Sequence, residues 1–170
     1  MSDKYWNLKA HVRGALSEAL VAEAIHQKFS DAVLHSPRHP EYDVESVSGD
    51  LRVDAKVASI LEADLDGSGQ VSAIEWDAGG RADVLHASAT HLGLVALDDE
   101  LTSLELGAGA TTILRGSVEA HGRVFLVPKD LARIESIPIW SVRNGRPSKG
   151  RFRYLRLRTV EPYEVEFRHS

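Results

Sequence analysis

Hydrophobic and polar positions along the chain predict a helix first and then a series of strands. From about residue 11 to 29 the chain is rich in Ala and Leu, with no proline and no glycine after Gly14, and reads as a helix. Ala32 to His35 reads as a short strand, and Pro37 and Pro40 bracket a turn. Glu41–Val47 and Leu51–Ser59 read as two strands joined by a tight turn at Ser48–Asp50. Gln70–Trp76 alternates through Val71 and Ala73, then slips to Ile74 and Trp76, and is read as a strand. Arg81–Thr90 suits a short helix, and Leu92–Leu97 a buried strand. Val124–Val127 is another strand, and Pro128-Lys129-Asp130 opens a helical turn through Ile134. The tail alternates Arg151, Phe152, Arg153, Tyr154 and changes phase at Leu155, which predicts a bulge or bend. The order of elements predicts an α/β fold, a mixed central sheet flanked by helices.

Composition narrows the class. A length of 170 residues suits one domain, with a core at about 11–135 and a basic extension at about 136–170. No apolar run is long enough to span a bilayer and the first nine residues lack a secretory pattern, so the expectation is a cytoplasmic protein without membrane contact. The absence of cysteine excludes disulfides and thiolate metal sites. Net charge is −5, yet Arg143, Arg146, Lys149, Arg151, Arg153, Arg156 and Arg158 lie within Ser141–Val160 with no acidic residue among them. Elsewhere thirteen basic residues face twenty-five acidic ones. That asymmetry is the footprint of a polyphosphate site, or of a basic edge strand protected against aggregation.

The chemistry centres on Tyr42-Asp43-Val44 and Val53-Asp54-Ala55-Lys56-Val57. On a strand, Asp54 and Lys56 share one face while Val53, Ala55 and Val57 take the other. A charged pair on a valine-flanked strand must be solvated, paired or bound to metal. With Asp43 on the neighbouring antiparallel strand, two carboxylates and an ammonium converge, a grouping suited to Mg²⁺-assisted phosphodiester hydrolysis.

These residues resemble the PD-(D/E)xK nuclease superfamily, whose members include restriction enzymes and Holliday-junction resolvases. The resemblance covers about residues 12–59 and extends through Gly14-Ala-Leu-Ser-Glu18, since the family often draws a further acid from a Gly-x-x-x-Glu helix. Glu23 is the substitute acid, but His26 and Gln27 beside it mark a solvated position. The resemblance implies a restriction-endonuclease-like core and a DNA endonuclease using Mg²⁺ or Mn²⁺. Asp43, Asp54 and Glu18 would hold the metal, with the Ala55 carbonyl as a further ligand. Lys56 would serve the attacking water. DNA, and a second copy of the chain in a homodimer, are the partners it implies. The position before Asp43 is Tyr42 where the family often has proline, and the second acid is Asp where Glu is commoner.

A second pattern competes. Asp64-Leu-Asp66-Gly-Ser68-Gly-Gln70 through Glu75 has the ligand spacing of a twelve-residue EF-hand loop, with Asp64, Asp66, Ser68, Gln70 and Glu75 as Ca²⁺ ligands. Its flanks are poor helix material: valines precede it and Gly79-Gly80 follow. A polar hairpin turn is the preferred reading, and a calcium-binding or non-catalytic nucleic-acid-binding module is the alternative function. His35 and His39 flank the proline turn, and His86 and His91 lie five apart, off a common helix face.

Overall fold

The structure, a computed structural model, describes residues 10–29, 33–34, 42–47, 50–78, 88–98, 103–104, 118–119, 122–138, 141–143, 146–148 and 152–166. The expected first helix is α1, Ala10–Phe29. Its buried positions Leu16, Ser17, Val21, Ala24 and Ile25 follow the spacing that puts one helical stripe against a sheet. Ser17 turns its hydroxyl back to the Arg13 carbonyl at 2.9 Å, so a buried polar group on that stripe is satisfied.

The strands are β1 (Val33–Leu34), β2 (Val44–Glu45), β3 (Arg52–Asp64), β4 (Gln70–Asp77), β5 (His91–Leu97), β6 (Ser103–Leu104), β7 (Val118–Glu119), β8 (Gly122–Pro128), β9 (Ile137–Pro138), β10 (Ser141–Arg143), β11 (Arg146–Ser148), β12 (Phe152–Arg156) and β13 (Glu164–Val165). Nine of them form one open sheet in the order β13-β8-β5-β3-β4-β12-β9, with β2 on β3 and β1 on β2. Its pairs are antiparallel except β3 with β5. Two small hairpins, β6–β7 and β10–β11, stand apart from it. The result is a mixed α/β fold, mostly antiparallel, with few helices among the described residues.

The sheet is packed on both faces. Beneath α1, Val21, Ala24 and Ile25 meet Val44, Val53, Val95, Val124 and Leu126. On the other face Ala58, Ile74, Trp76, Leu92, Leu94 and Phe125 meet Ala132 of α2 (Lys129–Glu135) and Val160 of α3 (Leu157–Val160). Gly93 of β5 lies under Val21 of α1. A Cβ there would stand 2.8 and 2.9 Å from methyls of Val53 and Val21, inside van der Waals contact.

Several expectations change. The strand expected over Glu41–Val47 is only Val44–Glu45, and that expected over Leu51–Ser59 runs on to Asp64. Residues 35–41, 48–49 and 81–87 lie outside the described set, so the proline turn and most of the Arg81–Thr90 helix do too; Ser88–Thr90 are not helical. The phase change at Leu155 is the end of a strand: β12 stops at Arg156 and α3 begins at Leu157. A helical turn places Leu157 and Val160 on one side, which mimics a slipped alternation. The basic tail is part of the core sheet, with β12 between β4 and β9 and Leu155 buried. No helix among the described residues is long and apolar enough to cross a membrane.

Candidate active site

The site forms where one edge of β3 changes partner. Val53 pairs with β5 on one side and with β2 on the other, so β2 and β4 share an edge. β2 pairs through Val53, and β4 joins only at Ala58. Between them residues 54–57 meet neither strand. Asp43 closes part of this notch. Its N–H donates to the Val53 carbonyl at 2.9 Å, and its Oδ2 accepts the free Ala55 N–H at 2.8 Å. A side-chain oxygen thus replaces the lost ladder partner of an edge amide.

The register that pairs Val44 with Val53 brings Asp43 opposite Asp54. Val53 and Ala55 pack under α1, so Asp54 and Lys56 take the other face, level with Leu92 and Leu94 of β5. The Asp54 side chain is 7% exposed, and the Lys56 ammonium lies 3.0 Å from its Oδ1. A carboxylate so buried requires such a partner. The start of β3 is also clamped. Arg52 donates its N–H to Thr90 Oγ1 at 2.9 Å and its Nε–H to the Ser88 carbonyl at 2.7 Å, while Thr90 N–H donates to the Arg52 carbonyl at 2.8 Å. Thr90 is a positioning residue that sequence reasoning missed, because one threonine ahead of an apolar run carries no spacing signal.

Glu18 reaches this edge from α1, and Asp43 links it to Asp54 by hydrogen bonds on both sides. Burial pushes Glu18 up to about 7, reinforced by the charge of Asp43 and the hydrogen bond to it, and opposed by Lys56. Asp43 is raised as well, chiefly by burial, with the Ala55 amide pulling the other way and Asp54 adding to the rise. Three carboxyls therefore share one ammonium, and the excess negative charge is met by proton uptake. Among the described residues, no group of three or more His, Cys, Asp or Glu is arranged to hold a metal as it stands. One oxygen of Asp43 is engaged by Ala55 and one of Asp54 by Lys56. The donor set nonetheless fits Mg²⁺ or Mn²⁺ in kind, being hard carboxylate oxygens with uncompensated charge. Glu23 is exposed and accepts from the Gln27 amide at 3.0 Å, away from the site.

The Asp64–Glu75 pattern is a hairpin. Asp64 pairs with Gln70 at the ends of β3 and β4, so strands occupy both positions where an EF-hand has helices. Gly67 and Gly69 have φ of 81° and 125°, a backbone that favours glycine. Asp64 Oδ1 accepts the Gly67 N–H at 2.7 Å, and Asp66 Oδ1 the Ser68 N–H at 3.0 Å. These are side-chain-to-backbone turns of the kind Asp favours. Glu75 lies within β4 and bonds the Tyr154 hydroxyl of β12, and burial together with Glu75 raises that tyrosine to about 12.

The basic residues are dispersed. Arg143 and Arg146 pair across β10–β11, and Lys149 and Arg151 lie outside the described residues. Arg153 donates to Ser136 Oγ at 2.9 Å, Arg156 to Asp66 Oδ2 at 2.7 Å, and Arg158 is exposed on α3. Of the histidines, His91 opens β5 and burial, with help from Lys28, lowers its pKa; His35, His39 and His86 lie outside the described residues. No protein-family profile, no curated protein and no solved structure matches the chain.

Proposed function

We propose that the chain is a metal-dependent nuclease that hydrolyses phosphodiester bonds, with DNA as substrate and a restriction-endonuclease-like core around the notch in β3. The observation that carries this reading is the meeting of Asp43, Asp54, Lys56 and Glu18 at one interrupted strand edge. Its support is chemical. Asp43 and Asp54 would hold Mg²⁺ or Mn²⁺, with Glu18 and the Ala55 carbonyl completing the set. When bound, the metal would supply Lewis acidity toward the phosphoryl oxygen and an acidified water. The rigid strand fixes Asp54 and Lys56 two residues apart on one face, so the ammonium can orient a nucleophile or neutralise charge on the departing oxygen. Glu18 holds its proton near neutrality in the metal-free site, and would release it on joining the metal set. The basic residues of the tail supply attraction for a polyanion.

The test is cleavage of plasmid DNA, oligonucleotides and RNA by the purified chain with Mg²⁺, with Mn²⁺ or with EDTA. Asp54→Ala and Lys56→Ala should each remove metal-dependent cleavage while circular dichroism shows a folded protein. Full activity in either folded variant, or none in the wild type on any of these substrates, would end the proposal.

A further inference from the structure

One ion pair of the Asp64–Glu75 segment belongs neither to a calcium loop nor to the notch in β3. Arg156, at the end of β12, donates from Nη2 to Asp66 Oδ2 at 2.7 Å, joining residues 90 apart in sequence. The pair is open to solvent: the two side chains are 27% and 47% exposed. Asp66 has no oxygen to spare. Its Oδ1 accepts both the Ser68 N–H and the Ser68 hydroxyl, and its Oδ2 takes the guanidinium. Those bonds, the hydroxyl first, hold its carboxyl below the usual range, so it stays ionised.

Beside the pair lies a groove of about 440 Å³, lined by Asp66, Ser68, Ser72, Arg156, Arg158 and Glu161. Arg158 is exposed and makes no hydrogen bond or ion pair with the described residues. One guanidinium is thus held by a carboxylate at the groove wall, and a second stands free two residues on.

We propose that this groove binds a phosphate of a nucleic-acid backbone, and that Asp66 occupies the phosphate's place on Arg156 until the strand arrives. The proposal rests on the nuclease reading for the identity of its ligand. A guanidinium fork takes carboxylate or phosphate oxygens in the same geometry. An exposed ion pair is weakly held, so a polyanion drawn by the arginine-rich segment can displace it. Asp66 then acts as a filter. It discourages single small anions, which gain only one contact, and yields to a strand that gains several. The ten residue steps of β3 from Asp54 to Asp64 span about 33 Å, which is about one turn of duplex. A duplex lying along β3 would reach from the notch to the groove.

The experiment measures binding of a labelled DNA duplex in EDTA, as a function of salt, for wild type, Asp66→Asn, Arg156→Gln and the double variant. Asn keeps an acceptor for the Ser68 N–H, so the hairpin is retained. Asp66→Asn should bind more tightly and steepen the log–log salt slope by about 0.9, the increment for one added phosphate contact. In the Arg156→Gln background the same change should have little effect. An equal gain with and without Arg156, or no gain, overturns the groove while leaving wild-type binding and cleavage as evidence for the nuclease. No duplex binding by any variant overturns both. Saturation of Asp66→Asn by inorganic phosphate, with unchanged duplex affinity, overturns the proposal in favour of a small-anion site.

Discussion

Replacing Glu18 by glutamine should stabilise the metal-free protein at alkaline pH and leave it unchanged in acid. Glu18 sits half-buried beside Asp43, and its pKa rises from an ordinary value of 4.5 to about 7. A carboxyl whose pKa rises on folding holds its proton more tightly in the folded chain. Its contribution therefore favours folding below about pH 4.5 and is lost as pH climbs through about 7. For a fully shielded group this rise would correspond to about 3 kcal/mol, at 1.36 kcal/mol per tenfold change in acidity. Solvent screening of a half-exposed side chain reduces that to about 1 kcal/mol. Glutamine keeps the shape and never ionises, so the variant should exceed the wild type by about 1 kcal/mol, or about 2–4 °C in Tm, at about pH 8. At about pH 5 the gap should shrink toward zero. Thermal unfolding followed by circular dichroism in EDTA reads both. A variant equally stable or less stable at the higher pH would show that Glu18 and Asp43 do not share uncompensated charge. Excess Mg²⁺ should also narrow the gap at high pH, because it stabilises the ionised wild type.

Other changes probe the frame around this site. Gly93→Ala should cost about 1–3 kcal/mol in urea unfolding, because the new methyl crowds Val21 and Val53. Leu155→Ala should cost about 2–5 kcal/mol, since its side chain is buried in the core beside Ile74 and Trp76; a change below about 0.5 kcal/mol would place β12 outside the cooperative unit. Calorimetric titration with Ca²⁺ in excess Mg²⁺ should show no specific site at the β3–β4 hairpin, and Glu75→Gln should change nothing in it; a one-to-one micromolar event lost in that variant would refute this.

The parts of the fold legible in the sequence are those whose signal is local. The helix over α1 follows from a stretch rich in Ala and Leu and free of proline, and Asp54 and Lys56 are assigned to one face by strand alternation alone. The two-residue β2 could not be sized, because its limits depend on where β3 exchanges β2 for β4. The strand expected to end at Ser59 runs on to Asp64, with Glu62 and Asp64 as exposed positions on an arm paired only with β4. The Asp-Gly-Ser-Gly run was ambiguous in principle, since the oxygens and glycines that bind Ca²⁺ also close a hairpin. What decided between them was the backbone on either side. The strand order was not legible at all, as β3 meets β5 across a gap that no local pattern encodes. Nor could charge counting show that Arg153 and Arg156 are engaged by Ser136 and Asp66.

The short path from β12 to β13 has a consequence for the shape of the sheet. These strands lie at positions five spacings apart in the order β13-β8-β5-β3-β4-β12, about 24 Å if the sheet were flat. Only seven residues connect them, the four of α3 and the three of the 3-10 turn Glu161–Tyr163, which reach about 12 Å. The sheet therefore bends, and it can do so along β3, which meets β5 over residues 53–57 and β4 over residues 58–64; Leu155, Leu157 and Val160 belong to the core cluster packed there. Residues 157–163 are a strap that ties β12 to β13. Lengthening that strap by one glycine should relax the bend at β3, read as a loss of stability in urea unfolding. The junction where β2 gives way to β4 beside Asp54 is thus tied to the length of a connection far along the chain.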